Sequence, residues 1–266
     1  SFTQAHQKPA IFDYNRILAF AVGKPSEAFG DRYQVFDSDR IIARLPGPPY
    51  QFLDRITGLQ GEQWVMTAGK VAEAQYDVPP DAWYFPANRQ PTMPFAVLLE
   101  VALQPCGWLA AYAGSALTSD IDLSFRNLGG KATQFLPVTP ETGTLTTTVT
   151  MTSVSQSGGM IIQHYDMDMR NSAGEPVYQG TTYFGFFSKA ALANQVGLRE
   201  LQPYQPTSGE QARGERFAYP QDVPFPDTQL RMIDDIDLFV ADGGPYGLGF
   251  IRGIKTIQPD EWFFKA

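Results

Sequence analysis

The chain has 266 residues, a formal net charge of −8, a single cysteine, and a composition of 43% hydrophobic and 18% charged residues. It is long and apolar enough to bury a sizeable core, which excludes a disordered polypeptide. Acidic balance without any run of more than two Lys/Arg residues excludes nucleic acid as a partner, and the lone Cys106 excludes an intrachain disulfide and fits a reducing, cytoplasmic setting.

The start, SFTQAHQK, has no initiator Met and no apolar signal core, and DEWFFKA at the other end stops inside an aromatic cluster. Both ends are therefore expected to be cuts in a longer polypeptide. Residues 1–40 are expected to be an N-terminal linker or docking segment. Residues 41–192 carry the pattern of one complete domain. Trp64 to Tyr76 reads as a strand with some alternation. Phe95, Leu98, Leu99, Ala102, Leu103, Cys106, Leu109, Ala110 and Ala113 then follow helical spacing on one face, and the opposite face is also mostly apolar. A helix apolar all round is a buried helix. Pro94 suits its first turn and Pro105 is expected to kink it or open a hydrogen bond. Glu100 and Gln104 interrupt the apolar run, so no uninterrupted stretch reaches membrane-spanning length and no membrane is expected as a partner.

Beyond the helix come runs rich in Thr, Val, Tyr and Phe: Ile121 to Phe125, Gly143 to Ser153, Met160 to Met169 and Tyr178 to Phe187. Ser157-Gly158-Gly159 and Asn171 to Gly174 supply the turns of an antiparallel meander. Gly129-Gly130 and Gly243-Gly244 read as turns rather than phosphate cradles, since neither opens a helix after a strand. The fold class is α+β, one long central helix wrapped by an antiparallel sheet. Residues 193–224, rich in Pro, Gly and Gln, read as a surface linker.

The chain also repeats itself. Gln51 to Ile56 (QFLDRI) resembles Arg231 to Ile236 (RMIDDI), and Asp81 to Ala87 (DAWYFPA) resembles Asp260 to Ala266 (DEWFFKA), in the same order and at nearly the same offset. Residues 225–266 therefore read as the truncated start of a second copy, in a double-domain arrangement with the first.

Certain motifs narrow the reading. Leu45-Pro46-Gly47-Pro48-Pro49-Tyr50, followed by Phe52-Leu53-Asp54-Arg55-Ile56, resembles the opening of β-hydroxyacyl-ACP dehydratases of the β-hydroxydecanoyl type. Trp83-Tyr84-Phe85 resembles that family's aromatic motif, and Met93-Pro94 with Leu98 to Gln104 resembles its helix motif. The N-terminal Phe12 to Asn15 and Gly23 to Gly30, joined to a tandem dehydratase, look like the dehydratase region of bacterial polyunsaturated fatty acid synthases. This resemblance implies a hotdog fold, with a first complete copy and the start of a second in a double hotdog. It implies elimination of water from 3-hydroxyacyl-ACP thioesters to give 2-enoyl-ACP. It implies no bound cofactor and no metal, the substrate riding on the phosphopantetheine arm of acyl carrier protein. The implied partners are acyl carrier protein domains and the second hotdog, within a homodimeric megasynthase.

Elimination needs a base at C2, an acid for the departing C3 hydroxyl, and donors for the enolate oxygen. In the family a His five residues after the Trp is the base; here that position is Asn88, which cannot take a proton. The family's helix acid is kept as Glu100, with Gln104 one turn later. Phe85, Met93, Pro94, Phe95 and Gln104 are expected to contact substrate. In the second copy the corresponding base position is 267, past the last residue, so this chain alone is expected to be inactive, with Glu100 paired to a His there. The competing readings are a non-catalytic structural half-domain and a hotdog acyl thioesterase. His6 and His164 have no motif around them, and Cys106 reads as core packing.

Overall fold

A computed structural model describes residues 7–193, 202–219, 225–227 and 229–264; His6 and the Lys265-Ala266 end of the repeat lie outside the described residues. The chain forms two compact units, Ser1–Ala82 with Thr92–Gln195, and Trp83–Pro91 with Val196–Ala266.

The first unit opens with three short helices, α1 (Tyr14–Val22), α2 (Pro25–Phe29) and α3 (Val35–Ser38). Asp13 starts α1 by accepting a hydrogen bond from the backbone N of Arg16 at 3.0 Å. Ile17, Phe20, Ala28, Phe29, Tyr33 and Phe36 are all buried. This layer is packed structure, not the linker that its sequence suggests. Its apolar side chains dock on the central helix, with Phe12 edge-on to Trp108 at 4.9 Å and the Tyr33 hydroxyl donating to the Ala111 carbonyl at 2.5 Å.

Strands β1 (Arg55–Gln60) and β2 (Val71–Asp77) follow. The expected single strand from Trp64 is interrupted because Trp64 and Gly69 adopt positive φ, 67° and 87°, so only its second half extends. The short α4 (Tyr84–Asn88) belongs to the second unit. Helix α5 (Phe95–Tyr112) begins after Pro94 and runs through Pro105, which simply lacks the N–H that would bond back to Val101. It ends at Tyr112, and two residues on Gly114 takes a φ of 78°, where a Cβ would also crowd the Trp64 Cα at 3.2 Å. Contrary to the expectation from Glu100 and Gln104, this helix is long and apolar enough to cross a membrane by length and composition. It is mostly buried and packs across the sheet, the position of a core helix.

Strands β3 (Leu123–Gln134), β4 (Thr144–Ser157), β5 (Met160–Arg170) and β6 (Pro176–Ser188) complete a six-stranded antiparallel sheet, ordered β1-β2-β4-β5-β6-β3. Alternation in β5 turns Ile161, Tyr165, Met167 and Met169 onto α5, which lies across β2, β4 and β5. Each such side chain contributes about 1.5–3 kcal/mol of burial. The turns at Gly158-Gly159 and Asn171 to Gly174 form as expected. Gly129-Gly130 do not turn. They lie inside β3, where a Cβ on Gly130 would sit 2.5 Å from the Thr181 carbonyl oxygen, so glycine here permits close strand approach. Helix α6 (Lys189–Ala193) closes the unit.

The second unit corrects the linker reading of residues 193–224. Helix α7 (Ser208–Arg213) carries a capping box between Thr207 and Glu210, and β7 (Glu215–Phe217) pairs with β8 (Asp235–Val240), which pairs with β9 (Phe250–Ile254). Glu210 is buried because its carboxylate accepts from the Tyr204 hydroxyl and from the backbone N of Thr207 and Gly244.

The sequence repeat has a structural counterpart in the two hairpins. Just before β1, Asp54 donates its backbone N to the Gln75 carbonyl at 3.0 Å, and its carboxylate accepts from the Asp77 backbone N at 2.7 Å. Just before β8, Asp234 donates its N to the Ile254 carbonyl at 2.9 Å, and its carboxylate accepts from the Thr256 N at 2.7 Å. In both cases one aspartate clasps the opposite strand at residues j and j+2.

Candidate active site

Glu100 sits in the middle of α5, half-buried, one turn before Gln104. Helical spacing puts the two on one face. Gln104 is buried and fully engaged: its Oε1 accepts from the Phe52 backbone N at 2.7 Å and its Nε2 donates to the Tyr50 carbonyl at 2.9 Å. A longer contact of 3.3 Å runs from Nε2 to the Glu100 carboxylate. Gln104 therefore acts first as the peg that holds the Leu45 to Phe52 motif onto the helix, and only second as an orienting partner for Glu100. Burial pushes the Glu100 carboxyl above its ordinary range, opposed by the Gln104 hydrogen bond. Burial and the nearby Glu100 charge together raise the Tyr50 phenol.

A cavity of about 280 Å³ lies over this face, lined by Glu100, Leu103, Gln104 and Gly107 from α5, Leu45 from the motif segment and Phe184 from β6, among others. Its walls are mainly apolar, with the carboxyl of Glu100 as the acidic group. Phe95 lines a second cavity of about 250 Å³ with Leu99, Leu103 and Tyr178. Met93 is buried, its backbone N bonded to the Val138 carbonyl at 2.8 Å, and Pro94 starts the helix. These two residues fix where α5 begins. Phe85, which is buried, and Asn88, which ends α4, belong to the second unit.

The remaining candidates fall outside this site. His164 is exposed on β5 and stacks on Tyr183 at 5.2 Å. Cys106 is buried on α5, and burial pushes its thiol up, so it packs and does not react. Sequence reasoning missed some contributors. The cavity walls formed by Phe20, Ile42 and Arg44 come from the segment read as a linker and its border. Asp54 stands in the motif before β1, but its burial is not legible there; its carboxyl is pushed up to about 6.

The family described as FabA-like domain matches residues 45–180 and 225–266, about two thirds of the chain. The chain belongs to the FabA-like domain family. The resemblance read from its motifs and the hotdog fold that it implied are both borne out. This FabA-like chain is 28% identical to one of the polyunsaturated fatty acid synthase subunits of Thraustochytrium sp. over 276 aligned positions, which cover 92% of the chain and 18% of that protein. It thus spans less than a fifth of that relative's length. Among solved structures, the dehydratase heterocomplex ApeI:P of Xenorhabdus doucetiae aligns with 14% identity and a TM-score of 0.42, covering 56% of this chain and 92% of that one. AziG of S. sahachiroi aligns with 20% identity and a TM-score of 0.33, covering 49% of this chain and 91% of that one.

Proposed function

We propose that this FabA-like chain is the dehydratase region of a polyunsaturated fatty acid synthase, removing water from 3-hydroxyacyl thioesters carried on the phosphopantetheine arm of acyl carrier protein. The observation that carries the reading is Glu100, a carboxyl raised by burial on the core helix and opening into an acyl-sized apolar cavity. In its protonated form, which burial favours, this carboxyl can donate to the departing C3 hydroxyl, which leaves as water while the C2–H electrons form the C2=C3 double bond. In the first sequence copy no side chain supplies the base at the motif position, because Asn88 stands where the family has His. The base would come from a second copy, from the His position that the family has five residues after the tryptophan matched here by Trp262. Helix α5 has no capping side-chain hydrogen bond at its start, and with the Val97 N–H already bonded to the Pro94 carbonyl at 3.0 Å, the Phe95 and Ala96 amides would be the donors for the thioester oxygen. The second hotdog, acyl carrier protein domains, a homodimeric megasynthase and a cytoplasmic setting belong to the same proposal.

The test uses a chain extended through the whole second copy, given a 3-hydroxyacyl pantetheine thioester. Formation of the enoyl product, followed by mass loss of water, is expected in the parent and absent in Glu100→Gln with the fold intact. Full activity in Glu100→Gln would place both catalytic groups in the second copy. Release of free thiol without loss of water would make the chain a thioesterase instead.

A further inference from the structure

The cavity beside Glu100 has a direction. On α5 its lining residues Glu100, Leu103, Gln104, Gly107 and Ala111 form one stripe, which at helical rise extends about 16 Å. The segment covering that stripe runs antiparallel to the helix. Gln104 holds the Tyr50 carbonyl, and a Cβ on Gly107 would meet Leu45 Cδ2 at 3.3 Å. At the far end Arg40 donates to the carbonyls of Ser119 at 2.9 Å and Ile121 at 2.6 Å. Ile42 and Ala43 therefore lie toward the end marked by Ala111, Ser115 and Ala116, away from the carboxyl. Phe20 of α1 also lines the cavity, and this wall is fixed rather than loose. Arg44 donates to the carbonyls of Phe20 at 3.1 Å and Gly23 at 2.7 Å, and Phe20 packs edge-on to Phe29 at 5.0 Å.

Phe20, Ile42, Ala43 and Arg44 all precede residue 45, where the family match begins. Part of the cavity wall, Phe20 of α1 and the segment Ile42 to Arg44 that follows the helices, is thus built by residues outside the family match. From this we infer that the N-terminal helical layer is a length gauge: Ile42 and Phe20 set how long an acyl chain the Glu100 cavity accepts. The inference rests on the acyl-site reading of that cavity. The walls are apolar and rigid, so each methylene that enters is favourable and the first that meets Ile42 is not. Burial of one methylene corresponds to about a fourfold gain in affinity. Small residues at Gly107, Ala111 and Ala116 keep the passage open between the carboxyl and the gauge.

The experiment is a calorimetric titration of the 266-residue chain with saturated fatty acids of increasing length. Affinity is expected to rise about fourfold per methylene, then to stop rising at one break point. Ile42→Ala should move that break point to chains about two methylenes longer. Ala116→Leu, at a half-buried position in the turn after α5, should move it to shorter chains. Circular dichroism confirms that both variants are folded. An unmoved break point in both variants, or fatty acid binding with no break point, overturns the inference, as does absence of binding by the parent. The dehydratase reading is judged separately: a shifted break point together with no dehydration by the extended chain would remove the reaction and keep the gauge.

Discussion

Replacing Asp54 by Asn should stabilise the protein at neutral and alkaline pH. The Asp54 carboxyl is pushed from its ordinary value of 3.8 up to about 6, mainly by burial and further by the Asp77 charge, despite the hydrogen bond from the Asp77 backbone N and the nearby Arg55 cation. A folded-state pKa raised above the unfolded value contributes stability below about 3.8, and that contribution is lost as pH rises through about 6. Two pH units correspond to about 3 kcal/mol, an upper bound for a group with some solvent contact. Asparagine keeps the acceptor for the Asp77 N–H and carries no charge to desolvate, and its amide can donate to the Asp77 carboxylate. Glu73 and Asp77 have lowered values and contribute stability of the opposite sign, present above their unfolded values and lost on acidification, but they are common to both proteins. Urea unfolding of parent and variant at about pH 4 and about pH 8 measures the difference. The variant should gain about 1–2 kcal/mol at the higher pH and little at the lower. A loss of equal size at both would show that Asp54 is needed as an ionised partner of Arg55, and the burial argument would fall.

Gln104→Ala should cost about 2–4 kcal/mol, because it strips the buried Phe52 N–H and the Tyr50 carbonyl of their partners. Gln104→Glu keeps the acceptor for Phe52; its protonated form can still donate to Tyr50 and should be intermediate in thermal denaturation, whereas its ionised form cannot donate and should lose more. Gly130→Val should destabilise by about 3 kcal/mol by prising β3 from β6 at Thr181, seen as earlier amide exchange along β3. Cys106 should react with a thiol reagent only after denaturant unfolds the first unit, and rapid labelling of the native protein would show the core around α5 to be open.

The central helix was legible because Phe95 to Ala113 is mostly apolar on every face, and strands β4–β6 because Thr, Val and aromatic residues run between clear glycine turns, whereas β3 was legible only as far as Phe125 because Gly129-Gly130 read as a turn. Strand β1 was hidden: its residues read as a motif, and its register shifts between Ile56 and Gly58. The three N-terminal helices are each shorter than ten residues, so Ile17, Phe20, Phe29 and Tyr33 declare themselves as core only once α5 is there to receive them. The same holds for the site. Glu100 and Gln104 could be paired from their spacing, since a helix makes neighbours of residues four apart. The walls at Phe20 and Ile42 come from packing across more than fifty residues of sequence, which no local pattern encodes.

The paired clasp of Asp54 and Asp234 has an evolutionary consequence. Each aspartate ties down its own hairpin by the same two bonds, whether or not the copy it belongs to carries a base. The two bonds hold the hairpin and take no part in the chemistry, so their presence says nothing about catalysis. A signature built on this aspartate and its aromatic neighbours thus traces descent, and the histidine position must be inspected separately to judge competence. Decay after duplication can silence a copy's chemistry at one residue while its architecture goes on being inherited intact.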